Sequence, residues 1–220
     1  MKILFITQKV DKNDDVLGVY HRWIDGLSKH FERISVICLQ KGQIDLPSNV
    51  SVYSLGKELM VGSRWVYAVR FLRLIWQLRH DYDLVFVHMN PEYIILGGLF
   101  WRISRKKIIL WYAHYLSNLK LRIAVWFSDR VITSIRLAFP FPTRKLQVLQ
   151  QGIDTILFSP AKTFRSPSDA LGILFLGRIA PVKNLDILVR TVQLFRQRAP
   201  VRLTIVGAPT LGRSVERGYY

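Results

Sequence analysis

The 220-residue chain has one cysteine, few acidic residues and no long apolar run. Cys38 cannot form a disulfide within the chain, and its short apolar segment favours a small core residue in a reducing compartment. The longest apolar stretch, Tyr93–Trp101, is interrupted by glycine and is far shorter than the ~20 residues that span a bilayer. Polar residues follow the N-terminal apolar stretch at once, so it predicts a strand rather than a secretion signal.

The scarcity of acidic residues leaves a large excess of positive charge. Lysine and arginine number 32 against 15 aspartates and glutamates, which gives a formal net charge of +17. This excess indicates an anionic partner: nucleic acid, acidic lipid or a phosphorylated ligand. No recognised nucleic-acid module is present, so nucleic acid is the least favoured of the three. No His, Cys or carboxylate pair has the spacing of metal ligands, so no metal site is predicted.

Strand-like apolar runs alternate with helix-period segments from the first residue, which indicates a parallel sheet covered by helices. Several strands are continuous apolar runs, as expected when both faces of a sheet are buried. The predicted strands are Lys2–Thr7, Ile34–Leu39, Val50–Leu55, Leu84–His88, Lys107–Trp111, Arg130–Thr133 and Leu146–Leu149. The predicted helices between them are Gly18–Phe31, Arg64–Arg79, Pro91–Ser104 and Ser117–Phe127.

The composition changes after residue 151. Residues 152–168 are rich in turn formers, which predicts a linker between an N-terminal domain (1–151) and a second domain (169–220). The second domain contains two apolar strands, Leu171–Leu176 and Val201–Val206, on either side of a helix-period segment. One strand–helix–strand unit is too small to bury a core, so this domain is predicted to be incomplete.

The turn after the first strand of the second domain carries two cations. Gly177 permits close backbone approach, Pro181 disfavours helix at the residue before it, and Asn184 is a candidate N-cap. Free N–H groups and the helix dipole favour an anion at such a turn. Arg178 and Lys183 add full charges, so the turn predicts a site for a phosphate-bearing ligand. The alternative is an ordinary strand–helix turn with two solvated cations.

Two motifs resemble those of family 4 glycosyltransferases. Gly177-Arg178-x-x-Pro181-x-Lys183 is similar to the signature of that family's second domain, and the segment 149–160 (LQQGIDTILFSP) looks like its interdomain connection. The resemblance implies the α/β GT-B fold, with an N-terminal Rossmann-like domain and the first strand–helix–strand of a second. It also implies a nucleotide-sugar donor bound in the interdomain cleft, and no metal or other cofactor.

The resemblance also implies roles for particular residues. Arg178 and Lys183 would contact the donor diphosphate and stabilise the charge that grows on the leaving group. His114 stands where the family has a histidine near the transferred sugar, which makes it the candidate catalytic residue; the alternative is a capped structural histidine. His114 and His88 both follow or end parallel strands, the edge where ligand crevices lie. The candidate cleft-lining residues are Gly18, His88 and Gly177.

One further motif is interpreted as structural. Asp81-Tyr82-Asp83 looks like the Asp-x-Asp metal motif of the other large glycosyltransferase fold. It enters the strand Leu84–His88 at its amino end, which is opposite the ligand edge. We therefore interpret it as a solvated helix–strand turn.

The predicted helix Arg64–Arg79 contains tryptophans, arginines and no acidic residue. Arg70 and Arg73 lie on a polar stripe, and the rest is largely apolar: Trp65, Val69, Leu72, Ile75 and Trp76. A basic amphipathic helix with tryptophans can lie in an anionic membrane surface; the alternative is a core helix with solvent-facing arginines. The corresponding localisation is cytoplasmic and peripheral on the inner face of the membrane.

The interpretation that follows is a retaining glycosyltransferase, active in glycan, polysaccharide or glycolipid synthesis. It would move a sugar from a nucleotide-sugar donor to a hydroxyl of a carbohydrate or lipid-linked acceptor. The acidic residues that hold the donor in the family would lie beyond Tyr220, so residues 1–220 alone are expected to be inactive. The alternatives are a non-catalytic basic α/β module that binds an anionic membrane or other polyanions, and another GT-B enzyme such as a sugar-nucleotide epimerase.

Overall fold

The computed structural model describes residues 1–60, 62–150, 152–156, 158–160 and 170–208. The chain divides into two compact units, residues 1–153 and 154–220. Residues 161–169 and 209–220 lie outside the described residues. The linker predicted for 152–168 and the incomplete domain predicted for 169–220 therefore stay predictions.

The N-terminal unit is built on a seven-stranded parallel sheet with strand order β3-β2-β1-β4-β5-β6-β7. Its strands are β1 (Lys2–Val10), β2 (Arg33–Lys41), β3 (Val50–Ser54), β4 (Leu84–His88), β5 (Lys107–Trp111), β6 (Arg130–Thr133) and β7 (Leu146–Val148). The predicted parallel sheet is confirmed, and three of the strands have the predicted ends: β4, β5 and β6.

Four helices cover this sheet: α1 (Gly18–Ser28), α2 (Arg64–Gln77), α3 (Pro91–Ile103) and α4 (Leu119–Phe127). All four were predicted, with ends that differ by a few residues. Helix α4 begins after Asn118, whose side-chain oxygen accepts the Leu121 N–H at 2.8 Å and so caps the first turn. Among the described residues, no helix is long and apolar enough to cross a membrane.

Two apolar cores lie on opposite faces of the sheet. Along β1, Leu4 and Ile6 belong to the core under α2, α3 and α4, whereas Ile3 and Phe5 belong to the core under α1. Successive side chains of a strand point to opposite faces, so a central strand with both faces covered reads as a continuous apolar run. This double burial explains why the strands are evident in the sequence.

The strand order reverses at β1, which lies between β2 and β4. Connections in parallel sheets are right-handed, so the chain places α1 on one face and the later helices on the other. The loops that leave β1 and β4 therefore diverge at the carboxyl ends of these strands. In open α/β sheets this edge is where ligands bind.

The second unit is described over β8 (Leu171–Leu176), α5 (Leu185–Phe195) and β9 (Val201–Val206). The two strands pair in parallel and have the predicted ends. Leu174 and Leu176 are 65% and 74% exposed, because within the described residues only α5 packs on these two strands, and one helix cannot cover both faces of a sheet.

Candidate functional site

His88 ends β4 at the ligand edge of the N-terminal sheet and is 3% exposed. Tyr20 and Trp23 of α1 cover it, with ring centroids 4.0 and 5.9 Å from the imidazole. Its Nδ1 lies 3.4 Å from the Thr7 hydroxyl, and its Nε2 has no hydrogen-bond partner among the described residues. Burial lowers the pKa of His88 to about 4, so the ring is neutral near pH 7. Its cleft-lining role stays a prediction.

The buried His88 predicts that the chain loses stability in mild acid. The unfolded chain binds a proton with the ordinary histidine pKa of 6.5, whereas folded His88 stays neutral down to about 4. Between these values the unfolded state binds more protons than the folded state. The free energy of unfolding therefore falls as the pH is lowered from 7, by about 2 kcal/mol at pH 5. Urea unfolding at pH 7 and at pH 5 measures this loss of stability. His88→Gln should remove the difference, and the exposed control His80→Gln should keep it.

His114 lies in the loop that follows β5 and is half-buried. Its Nδ1 accepts the Leu116 N–H at 3.1 Å, and its ring stacks on Tyr115 with centroids 4.8 Å apart. Because Nδ1 is an acceptor, the neutral ring carries its proton on Nε2. The ring is thus arranged to donate a hydrogen bond from Nε2. Its catalytic role stays a prediction.

Gly18 begins α1, and the loop before it is held by an acidic cluster. Lys9 Nζ lies 2.6 Å from Asp14 and 3.0 Å from Asp11. Asp14 Oδ1 accepts the Leu17 N–H at 2.6 Å, and the Gly18 N–H donates to the Asp14 carbonyl at 3.0 Å. The Asp11 and Lys9 contributions were missed in the sequence because the ion pairs form only when the loop folds back. The cleft-lining role of Gly18 is untested by this geometry.

The turn that carries Arg178 and Lys183 is fixed by backbone hydrogen bonds. Gly177, with φ 157°, donates its N–H to the Val206 carbonyl at 3.0 Å, and the Lys183 N–H donates to the Ala180 carbonyl at 2.9 Å. Ala180 is extended, as predicted from the following proline. Both cationic side chains are exposed.

Asn184 stands at the N-cap position of α5, as predicted, but its side chain does not cap the helix. Residues Pro181–Lys183 form a short 3-10 turn, and Asn184 follows it in the left-handed conformation with φ 51°. Its side chain makes no capping hydrogen bond to α5. Asparagine is one of the few residues that adopt this conformation readily, so the residue serves the bend rather than the cap.

Gly207 supports the same turn and was not identified from the sequence. It directly follows β9, and a Cβ atom placed there would overlap the carbonyl oxygen of Gly177. The Ile179 N–H donates to the Ala208 carbonyl at 3.2 Å, so the two segments are held together on both sides of this contact. A glycine immediately after an apolar strand was the signal that could have identified it.

The Asp81-Tyr82-Asp83 motif has local partners, in agreement with its interpretation as a turn. Asp81 pairs with Arg33 at 3.0 Å, and Asp83 accepts the Lys2 backbone N–H at 3.0 Å. Both are at the amino end of the sheet. In the part of the chain that the structure describes, no group of three or more His, Cys, Asp or Glu could hold a metal ion.

Helix α2 buries one apolar side and exposes another. Phe71 and Ile75 are in the core, so the apolar set predicted for this helix divides: Ile75 is buried and the other four members are at the surface. The surface stripe of α2 has side chains that are between 41% and 81% exposed: Trp65, Val69, Leu72 and Trp76. Spacings of four, three and four residues place them on one side of the helix.

The two arginines predicted for the polar stripe of α2 differ in their contacts. Arg70 donates from Nη1 to the Leu55 carbonyl at 2.8 Å, which ties the helix to the end of β3. Arg73 is exposed. Only Arg73 of this pair is therefore a suitable probe of surface charge.

Comparison with solved structures defines the fold class. The HepE protein of Anabaena in complex with UDP matches all of this chain and 63% of its own, with TM-score 0.67 and 20% identity. A proposed UDP-N-acetylglucosamine 2-epimerase from Listeria monocytogenes matches 99% of this chain and 64% of its own, with TM-score 0.57 and 14% identity. The chain therefore has the α/β fold of the GT-B class, as predicted.

No family model matches the chain, but a comparison with curated proteins finds sequence relatives. A D-inositol 3-phosphate glycosyltransferase of Acidothermus cellulolyticus is 35% identical over 102 residues, which cover 41% of this chain and 22% of that protein. The enzyme of the same name from Salinispora arenicola is 34% identical over 93 residues, or 34% of this chain and 20% of that protein. The chain thus aligns with about a fifth of the length of these relatives. The resemblance to family 4 glycosyltransferases is confirmed.

Proposed function

We propose that this chain is part of a retaining glycosyltransferase that uses a nucleotide-sugar donor. The observation that carries the proposal is the turn 177–183: it follows a parallel strand, precedes a helix and presents two exposed cations on a hydrogen-bonded backbone. Such a turn stabilises phosphate oxygens through N–H groups, the helix dipole and full positive charges. The named relatives are glycosyltransferases, which supports the same reading.

The proposed chemistry places the developing negative charge on the donor diphosphate. The bond between the anomeric carbon and the phosphate oxygen breaks, and its electron pair stays on that oxygen. Arg178 and Lys183 lower the energy of this charge in the transition state without a metal ion. The acceptor oxygen bonds to the same face of the anomeric carbon and its proton passes to the departing phosphate. His114 would donate from Nε2 to a donor oxygen.

Product analysis tests this function. A transferase yields UDP from UDP-glucose only when an acceptor is present, whereas an epimerase changes the sugar without an acceptor. We expect acceptor-dependent release of UDP by the longest protein that carries this sequence, and no turnover by residues 1–220 alone. Acceptor-independent epimerisation would contradict the proposal. The role in glycan, polysaccharide or glycolipid synthesis follows from the acceptor that is found.

A second candidate function is binding to an anionic membrane, with or without catalysis. The surface stripe of α2 is the observation that favours it, because exposed tryptophans beside cations are typical of helices that lie in a membrane interface. Helix α2 has no acidic residue, so nothing on it would repel acidic lipid. The proposed location is cytoplasmic and peripheral on the inner face of the membrane.

Vesicle binding should depend on Arg73 and on the tryptophans of α2. We expect Arg73→Glu, or Trp65→Ser with Trp76→Ser, to weaken co-sedimentation with phosphatidylglycerol-containing vesicles by about tenfold. The control Arg22→Glu makes the same charge change on α1, on the other side of the sheet, and should bind as the unchanged protein does. Equal binding of Arg73→Glu and Arg22→Glu would leave only the general charge of the chain as the cause.

A further inference from the structure

A cavity of about 600 Å³ opens at the carboxyl edge of the N-terminal sheet, between the first turns of α2 and α3. Its volume lies within the roughly 300–1,000 Å³ of small-molecule sites. Most of its wall is apolar and comes from the two helices: Trp65, Tyr67, Ala68, Tyr93, Ile95 and Leu96. The cavity is therefore built for an apolar group rather than for a sugar or phosphate.

The polar lining is concentrated where the sheet ends. Gln8 belongs to β1, and Asn90 follows β4 and donates to the His88 carbonyl at 3.1 Å. Glu92 and Lys120 form an ion pair at 3.1 Å, also in the lining. Burial raises the pKa of Tyr93 well above its usual value, so this phenol is neutral. The site thus has one apolar side on the helices and one polar side at the ligand edge of the sheet.

The apolar wall continues onto the outer surface of the same helices. Trp65 and Leu96 line the cavity and are themselves exposed, at 81% and 40%. Trp65 begins the surface stripe of α2, and α3 carries Leu99 and Ile103, both exposed, one and two turns beyond Leu96. Arg64 at the cavity adds positive charge. An occupant that enters from this side would pass over an apolar, cationic surface.

We propose that this cavity binds the apolar chain of a lipid-linked acceptor. The assignment rests on the proposed glycosyl transfer and names its acceptor class. The apolar chain of the lipid lies between α2 and α3. The polar head of the lipid, which bears the accepting hydroxyl, lies towards Gln8 and Asn90. Membrane contact through the surface stripe of α2 would bring the cavity mouth to the lipid layer.

Binding of alkyl glucosides below their micelle concentrations tests the cavity without any donor. Calorimetric titration of the full chain with hexyl, octyl and decyl glucoside should give affinities that rise about tenfold for each pair of methylene groups. Leu96→Asp should lower the decyl glucoside affinity at least tenfold, because the bound alkyl chain would desolvate the new carboxylate. The matched control Leu99→Asp changes the same helix outside the cavity and should bind normally.

Ala68→Leu provides a second test, because the larger side chain would take up cavity volume at a half-buried position. We expect it to weaken decyl glucoside more than hexyl glucoside, with circular dichroism unchanged. A flat dependence on chain length, or equal affinities of Leu96→Asp and Leu99→Asp, would overturn the assignment. So would tighter binding of naphthyl glucoside than of decyl glucoside, which would indicate an aromatic acceptor. If the protein bound alkyl glucosides as expected but did not turn over UDP-glucose, the proposed function would be refuted and the assignment of the cavity would stand.

Discussion

Replacing Arg178 and Lys183 together with alanine is expected to lower sugar transfer by about a thousandfold and to weaken UDP binding. The side chains of Arg178 and Lys183 are both exposed at the turn that precedes α5. Each side chain can therefore reach an oxygen of a phosphate bound at this turn. Removing one preorganised group that stabilises transition-state charge costs about 10²–10³ in rate. The UDP affinity should fall by a comparable factor, since UDP carries in full the charge that the leaving oxygen gains as its bond to the sugar breaks.

The measurements are calorimetric titration with UDP and turnover of UDP-glucose, on the longest protein that carries the sequence. The matched control is Arg190→Ala with Arg198→Ala, which removes two exposed cations from the same unit but away from the turn. This control should keep UDP affinity within about threefold, since distant surface charges are screened by salt. Unchanged UDP binding in the Arg178/Lys183 variant would show that the turn is not the donor site.

Gly207→Ala should weaken UDP binding by about a hundredfold, although residue 207 need not touch the ligand. Its Cβ would overlap the Gly177 carbonyl oxygen, and both atoms' positions are set by backbone hydrogen bonds between β9 and the turn. Backbone cannot move aside as a flexible side chain can, so the turn must shift. A displacement near 1 Å at a binding group is enough to cost about a hundredfold.

Gly172→Ala is the control for this substitution. Gly172 lies in β8 of the same unit, and a Cβ there would meet no atom within 4 Å. It should therefore bind UDP normally and unfold at the same denaturant concentration as the unchanged protein. If Gly207→Ala also binds UDP normally, the close contact between Gly207 and Gly177 is not what positions the cations.

The parallel sheet was predictable because its signal is local. Strands β4, β5 and β6 have the predicted ends, since burial of both faces makes the interior residues of each run apolar. Helix ends were less predictable because partners elsewhere in the chain decide them. Helix α1 was predicted to reach Phe31 but ends at Ser28, where the Asn49 side chain donates to the Ser28 and Phe31 carbonyls at 2.9 and 3.0 Å.

The candidate site likewise has some features with a local sequence signal and others that depend on distant parts of the chain. The cationic turn could be found because Gly177, Arg178 and Lys183 are neighbours in one motif. The aromatic rings that cover His88 could not be predicted. Tyr20 and Trp23 belong to helix α1, and they approach β4 only in the folded chain. The contact of Gly207 and the cavity between α2 and α3 depend likewise on segments far apart in sequence.

The second unit has a consequence for how the protein behaves in concentrated solution. Among the described residues, β8 and β9 pair only with each other, so each has an outer edge of backbone N–H and carbonyl groups. Leu174 and Leu176 are exposed beside one such edge. Unpaired edges with apolar faces are templates for strand addition between molecules. In concentrated solution, a strand from a second molecule would therefore add at this edge.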